Sequence, residues 1–171
     1  MNEEAKATPY IDTVGQGQAY WMVGILWVML ATGEQTGGGY SLMWELCPQG
    51  SGPGPHYHDQ DEQFFIIEDG EITYRADGRE LKAGPGSFVL IPRGTVHSFR
   101  VDSETATLLN SYTPAGFERT ITELGEPAQT RTIPPSDRPD IPAGMDDAMA
   151  LFREIGMHPV REPDVLRQGR G

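Results

Sequence analysis

Three of the four histidines in this chain fall inside two short blocks that read as halves of one metal site. The first runs Gly50-Ser51-Gly52-Pro53-Gly54-Pro55-His56-Tyr57-His58, with Asp61, Glu62, Gln63 and Gly70 behind it; the second runs from Gly86 through Pro92-Arg93-Gly94-Thr95-Val96-His97. On an extended strand, side chains alternate with period two, so the imidazoles of His56 and His58 share a face with about 7 Å between their backbone positions. Neutral imidazole is a good ligand for divalent first-row metals. His97, about forty residues on and preceded by a glycine and proline turn, completes a cation site only if the fold sets the two blocks side by side, as a barrel does.

The elements around the histidines fit that demand. Twenty-one glycines and fourteen prolines cut the sequence into short runs, which favours strands joined by turns over a helical bundle. Tyr40, Leu42, Trp44 and Leu46 alternate with Ser41, Met43, Glu45 and Cys47, a half-buried strand. Phe64 to Ile67 is apolar on both faces, as expected between a cavity and a second sheet. Ile72 and Tyr74 alternate with Thr73 and Arg75 ahead of Asp77-Gly78, a pair suited to a tight hairpin. Gly86 to Pro92, His97 to Val101 and Thr105 to Tyr112 read as further strands. The 13-residue apolar run Ala19 to Ala31 reads as one buried strand, because a membrane helix needs about 20 residues. With no basic segment ahead of it, the run does not read as a secretory signal.

Beyond the strands, Thr113 and Pro114 read as the cap and first position of a short helix carrying Phe117, Ile121 and Leu124 on one stripe and stopped by Gly125 and Pro127. Pro127 to Gly144 holds five prolines and reads as an extended arm outside the core. A second helix, about Asp146 to Ile155, opens with acids, has Arg153 late, and carries an apolar stripe of Met145, Ala148, Met149, Phe152 and Ile155 for its own barrel or a partner subunit. The expected organisation is an N-terminal arm over 1–18, a barrel over 19–113, and a C-terminal helix, arm and helix over 114–171.

The net charge of −12 and only two lysines argue against nucleic acid and against an anionic membrane surface. Cys47 is the single cysteine, so no intrachain disulfide forms and no oxidising compartment is required; it reads as a small buried hydrophobe. These features imply a cytoplasmic protein whose partner is a small-molecule substrate.

The two histidine blocks resemble the motifs of the cupin superfamily. Gly50, His56, His58 and Gly70 fall at the spacing of the first motif, and Gly86, Pro92, Gly94 and His97 at that of the second; the match spans roughly Tyr20 to Tyr112. The Pro-rich arm and terminal helix make the chain similar to short single-barrel proteins related to bacterial quercetin dioxygenases. The resemblance implies an all-β fold, a double-stranded β-helix (jelly-roll) barrel with one or two short C-terminal helices, and a homodimer. It implies one divalent transition metal (Fe, Mn, Ni, Co, Cu or Zn) held by His56, His58 and His97 with a fourth ligand separated from Gly70 by six residues.

That fourth position departs from the family pattern. It falls on Gln63 where a glutamate is expected, while Glu62 is one residue early and faces the other way unless a bulge swaps them. Val101 stands where the second motif has asparagine. Gln63 is expected as the fourth ligand, with Glu62 and Gln63 as the candidate catalytic pair. Three imidazoles and an amide leave a dication its full charge and make it a stronger electrophile, but they remove the base that a carboxylate supplies. Met22, Trp27, Met29, Trp44 and Phe65 lie in strands that can line an apolar pocket, with core packing the default for each. Arg93 and Thr95 read as turn residues, Tyr57 as pointing away from the metal, and His158 as a surface residue. The implied function is a metal-dependent, dioxygenase-like enzyme acting on a small apolar, aromatic or dicarbonyl molecule. The alternatives are a non-redox isomerase, cyclase or dehydratase using the metal as Lewis acid, with Glu62 or Glu45 moving the proton, and a small-molecule-binding barrel without turnover.

Overall fold

The computed structural model of the protein describes residues 7–161. Its elements in order are β1 (Ala19–Met22), β2 (Ile25–Ala31), α1 (Gly33–Thr36), β3 (Ser41–Pro48), β4 (His56–His58), β5 (Glu62–Asp69), β6 (Ile72–Ala76), β7 (Arg79–Ala83), β8 (Phe88–Ile91), β9 (His97–Val101), β10 (Thr105–Thr113), α2 (Glu118–Leu124), β11 (Glu126–Pro127), α3 (Met145–Ile155) and β12 (Met157–Pro159). They form two antiparallel sheets, one in the order β11-β1-β2-β3-β10-β5-β8 and the other β12-β4-β9-β6-β7. The sheets face each other over a core that includes Phe65, Ile67, Tyr74, Phe99 and Leu108, as in a jelly-roll barrel. No helix among the described residues is long and apolar enough to cross a membrane.

The apolar run from Ala19 is two strands, not one. Val23 and Gly24 both adopt positive φ, 49° and 73°, which turns the chain back on itself so that Trp21 pairs with Leu26 and Tyr20 with Trp27. Hydrophobicity on both faces hid the turn: β1 and β2 bury one face in the barrel, while Trp21, Leu26 and Val28 pack on the other in a second cluster with Trp44 and Leu46. The β3 alternation holds, with its sense now fixed. Ser41, Met43, Glu45 and Cys47 face inward, and Leu42, Trp44 and Leu46 face out. Trp44 therefore points away from the barrel interior, and its indole N–H donates to Glu68 at 2.6 Å.

The helix expected from Thr113 begins instead at Glu118. Tyr112 and Thr113 still pair with Gln63 and Glu62 of β5, so the strand outruns the helix signal. The buried Glu118 carboxylate then pins the new element, accepting from the backbone N–H of Gly33 at 2.8 Å and of Gly116 at 2.6 Å. The Pro-rich segment also differs from a free arm. Its start, β11, adds to the edge of β1; the Trp21 indole donates to the Thr132 carbonyl at 2.8 Å; and Ile141 packs against the main core. Helix α3 spends Ala148, Leu151, Phe152 and Ile155 on its own chain. It ends at Gly156, whose φ of 74° strains any other residue and where a Cβ would displace the side chains of Asp59 and Gln60. The chain then enters β12, which pairs with the histidine strand β4, so residues beyond 113 complete both sheets.

Candidate metal centre

Strands β4 and β9 lie antiparallel with His56 directly opposite His97, which converts a forty-residue separation in sequence into a neighbour contact. His56, His58 and His97 are all buried, and one nitrogen from each lies within 4.8 Å of the others. The backbone aims the rings. His56 Nδ1 sits 2.9 Å from the Gly54 carbonyl and His97 Nδ1 2.9 Å from the Thr95 carbonyl. A carbonyl only accepts, so each Nδ1 carries the proton and each Nε2 presents a lone pair inward. The glycine and proline turns before the two histidines thus supply tautomer-fixing carbonyls, and Thr95 acts through its backbone. His58 Nδ1 faces the buried carboxylate of Asp61 at 3.4 Å. That separation is too long for a good hydrogen bond, and His58 has no closer partner for either ring nitrogen among the described residues.

Burial keeps the rings neutral. It pushes His58 down to about 2, helped by its neighbours His56, His97 and His158, and pushes His97 down to about 3, helped by His56. His56 is lowered by burial against the support of the Gly54 carbonyl. Asp61 moves the other way, raised by burial to about 7 although Arg93 opposes the shift.

Gln63 and Glu62 separate cleanly. Gln63 is 3 % exposed and inward, level with Phe65 and Ile67, whereas Glu62 lies on the exposed face of β5. The bulge that could have swapped them exists, but it falls at the far end of the strand, where the register skips Glu68, and leaves their parity unchanged. This placement removes Glu62 from the candidate catalytic pair, because an outward side chain on a paired strand cannot reach the barrel interior. Gln63 Oε1 lies 2.9 Å from His97 Nε2. His97 donates through Nδ1 and is neutral, so neither of these atoms carries a proton for the other, and both offer lone pairs to the same point. Neutral imidazoles with bare inward nitrogens and an amide oxygen among them form a donor set that fits a divalent cation.

Behind Gln63 lies a polar layer that the motif spacing did not reveal. Gln63 Nε2 donates to Tyr112 Oη at 2.6 Å and to Asn110 Oδ1 at 3.0 Å, and Asn110 Nδ2 donates to Glu45 Oε1 at 2.7 Å. Glu45 is fully buried, and burial pushes it up to about 8 against the hydrogen bonds from Asn110 and Cys47. The only sequence signal for this layer was a charged residue on a strand whose other positions are mostly apolar.

His56, His97 and Gln63 open onto a cavity of about 310 Å³. Its wall is largely apolar: Met22, Ile25, Trp27, Phe65 and Phe99 come from the barrel, and Phe117 from the segment before α2. The C-terminal segments add Asp140, Ile141, Phe152 and Met157 to the lining. Met29 is core rather than wall. Tyr57 points away from the histidines and stacks on His158 at 4.7 Å, and His158 bonds to Asp59 at 2.7 Å. His158 is thus a structural residue that ties β12 to the histidine strand.

A profile of the family described as Cupin domain matches residues 42–112. The chain is 30% identical over 128 residues to the quercetin 2,3-dioxygenase of Bacillus subtilis (strain 168); the match covers 75% of this chain but only 38% of that protein's length. Among solved structures, an RmlC-like cupin from Shewanella frigidimarina superposes with a TM-score of 0.56 at 16% identity, covering 63% of this chain and 93% of that one. Pac13, described as a nucleoside dehydratase, superposes at 0.54 and 15%, covering 77% and 99%.

Proposed function

Since the chain belongs to the cupin superfamily, we propose that it is a metal-dependent enzyme that transforms one small, largely apolar molecule, aromatic or dicarbonyl in character, inside the barrel. The observation that carries this reading is the convergence of three neutral, buried imidazoles and the Gln63 oxygen at the base of an apolar cavity. His56, His58 and His97 with Gln63 would hold one divalent metal. When bound, that ion supplies Lewis acidity and, if it is redox-active, one-electron chemistry toward dioxygen.

The protein's own residues supply the rest. The Gly54 and Thr95 carbonyls hold two rings in the liganding tautomer. Trp27, Phe65 and Phe99 offer flat apolar surface to an aromatic substrate, and Ile141, Phe152 and Met157 extend the apolar lining. Similarity to a quercetin dioxygenase favours oxygen-dependent ring or carbon–carbon cleavage. A non-redox isomerase, cyclase or dehydratase is the second reading, favoured by one observation: the inward position on β5, next to His97 Nε2, holds the Gln63 amide where a carboxylate would be placed to take a substrate's hydroxyl proton.

Purified protein, loaded in turn with Fe, Mn, Co, Ni, Cu and Zn, is offered flavonols and β-diketones in an oxygen-electrode chamber with product analysis. Oxygen uptake matched to substrate loss supports dioxygenation, and conversion without uptake supports the second reading. Binding of those compounds with no conversion under any metal overturns the enzyme reading in favour of a binding barrel. Failure of His56→Ala and His97→Ala to lower metal content overturns the site.

A further inference from the structure

Glu45, Asn110, Gln63 and His97 form one line of hydrogen-bonding groups across the barrel interior. A primary amide has a donor end and an acceptor end, so two amides in series can run in only two senses. In the sense seen here, Glu45 receives from Asn110, Asn110 receives from Gln63, and Gln63 turns its oxygen toward the His97 lone pair at 2.9 Å. Two acceptors at that distance repel unless a cation lies against both. Without a cation the opposite sense is the favourable one. Gln63 Nε2 then donates to His97 Nε2, Asn110 Nδ2 donates to Gln63 Oε1, and Asn110 Oδ1 requires a donor at its far end. Glu45 can be that donor only as a carboxylic acid.

We propose that Glu45 is the remote counter-charge of the metal site, giving up its proton when Gln63 and the three imidazoles take a divalent cation and regaining it when the cation leaves. The Asn110–Gln63 pair reverses its sense in step. The exchange balances: one cation binds, the Glu45 O–H bond breaks, one proton passes to solvent, and nothing is oxidised or reduced. The inference rests on the metal-site reading above and explains how a ligand set without a carboxylate can be electrically supported: the negative charge stands one amide pair back.

The surroundings of Glu45 suit this role. The groups facing it are Cys47 on its own strand, whose Sγ lies 3.6 Å from Oε2, Tyr74 on β6, and Asn110 and Tyr112 on β10. None is basic, so nothing else holds the carboxylate ionised. Its proton is retained up to about 8, which leaves it protonated at neutral pH until a cation arrives. Tyr112 Oη can donate or accept and follows either sense. Glu45 touches no liganding residue directly, so its role is one of positioning and charge.

The test is calorimetric titration of Zn(II) into the full chain and its Glu45→Gln variant, in buffers of different ionisation enthalpy between pH 6 and 8. Groups common to both proteins contribute equally, so the difference between them isolates Glu45. The wild-type protein is expected to release close to one proton more per Zn(II) than the variant at pH 6, and about half a proton more at pH 8. Below pH 7 its affinity is expected to climb more steeply with pH by about tenfold per unit. Equal proton release and parallel pH slopes overturn the proposal and leave the metal site standing, whereas no Zn(II) binding by wild type overturns the site itself. Should the variant fail to fold, wild-type protein carrying 13C-carboxyl glutamate gives the answer: one buried glutamic acid resonance must move to the carboxylate position on adding Zn(II), and a resonance that stays put refutes the proposal.

Discussion

The fully buried Glu45 has a consequence for stability that can be measured without any metal. Its proton leaves near 4.5 in the unfolded chain and at about 8 in the folded one. Between those values the folded protein binds a proton that the unfolded chain does not. Stability is therefore fully present below pH 4.5, falls as pH rises through the window, and levels off above 8. Each unit of separation is worth about 1.4 kcal/mol, so wild type should lose about 3 kcal/mol between pH 5 and pH 8 on account of this one carboxyl. Glu45→Gln keeps the size of the acid and cannot ionise. Urea unfolding of chelator-treated wild type and variant, followed by fluorescence at half-unit pH steps, gives the difference between their stability curves. The histidines and Asp61 titrate in both proteins and drop out of that difference. The variant should gain on wild type steadily from pH 5 to 8 by about 3 kcal/mol; a difference flat to within about 0.5 kcal/mol would show that burial does not hold this proton.

Three further outcomes follow from the geometry. Gln63→Glu should retain the metal, since a carboxylate oxygen fits the same place, yet change turnover by about a hundredfold or more by placing a base beside the ligands; a mutant that matches wild type in metal affinity and rate would mean that Gln63 touches neither metal nor substrate. Gly156→Ala, at φ 74° and pressed against Asp59 and Gln60, should cost more than about 1 kcal/mol in urea unfolding and lower metal content by loosening β12 from the histidine strand; an unchanged midpoint would refute the close approach. The homodimer implied by the family resemblance has little of the α3 stripe to draw on, because Ala148, Phe152 and Ile155 are buried in their own chain and Met145 alone of the stripe is exposed. It is better seated on the outer face of β5 and the edge strand β8, where Ile66, Phe88 and Leu90 are exposed. Phe88→Glu with Leu90→Glu should then convert dimer to monomer in light scattering, and a monomeric wild type at micromolar concentration refutes the pairing.

Much of the barrel and three of its site residues were legible because they are written in local patterns. His56 and His58 share a face by strand periodicity alone, Asp77-Gly78 marks its hairpin, and the Gln63 and Glu62 parity followed from counting back from Gly70. What was not legible depends on which neighbours a segment meets. The alternation of β3 announced a strand but not its sense, because Trp44 and Leu46 are covered from outside by Trp21, Leu26 and Val28; Glu45 as a proton carrier and Trp44 as pocket wall were both open readings, although they put opposite faces of the strand inward. The Val23-Gly24 turn was masked because a β-branched residue is a poor advertisement for positive φ. The prolines after Pro127 correctly excluded regular structure, but not a packed position, since a segment without strand or helix can still seat Ile141 in the core. His158 belongs to no motif, and its stacking on Tyr57 exists only because β12 happens to pair with β4.

The make-up of the cavity wall has a bearing on how such a protein diversifies. The groups that would hold an ion come from residues 56–97, whereas part of the wall around them is contributed by 140–157. Reactivity and part of the cavity's shape are thus encoded in separate stretches of polypeptide. Exchanging the latter stretch between homologues would be a route to new selectivity that leaves the ion's chemistry intact.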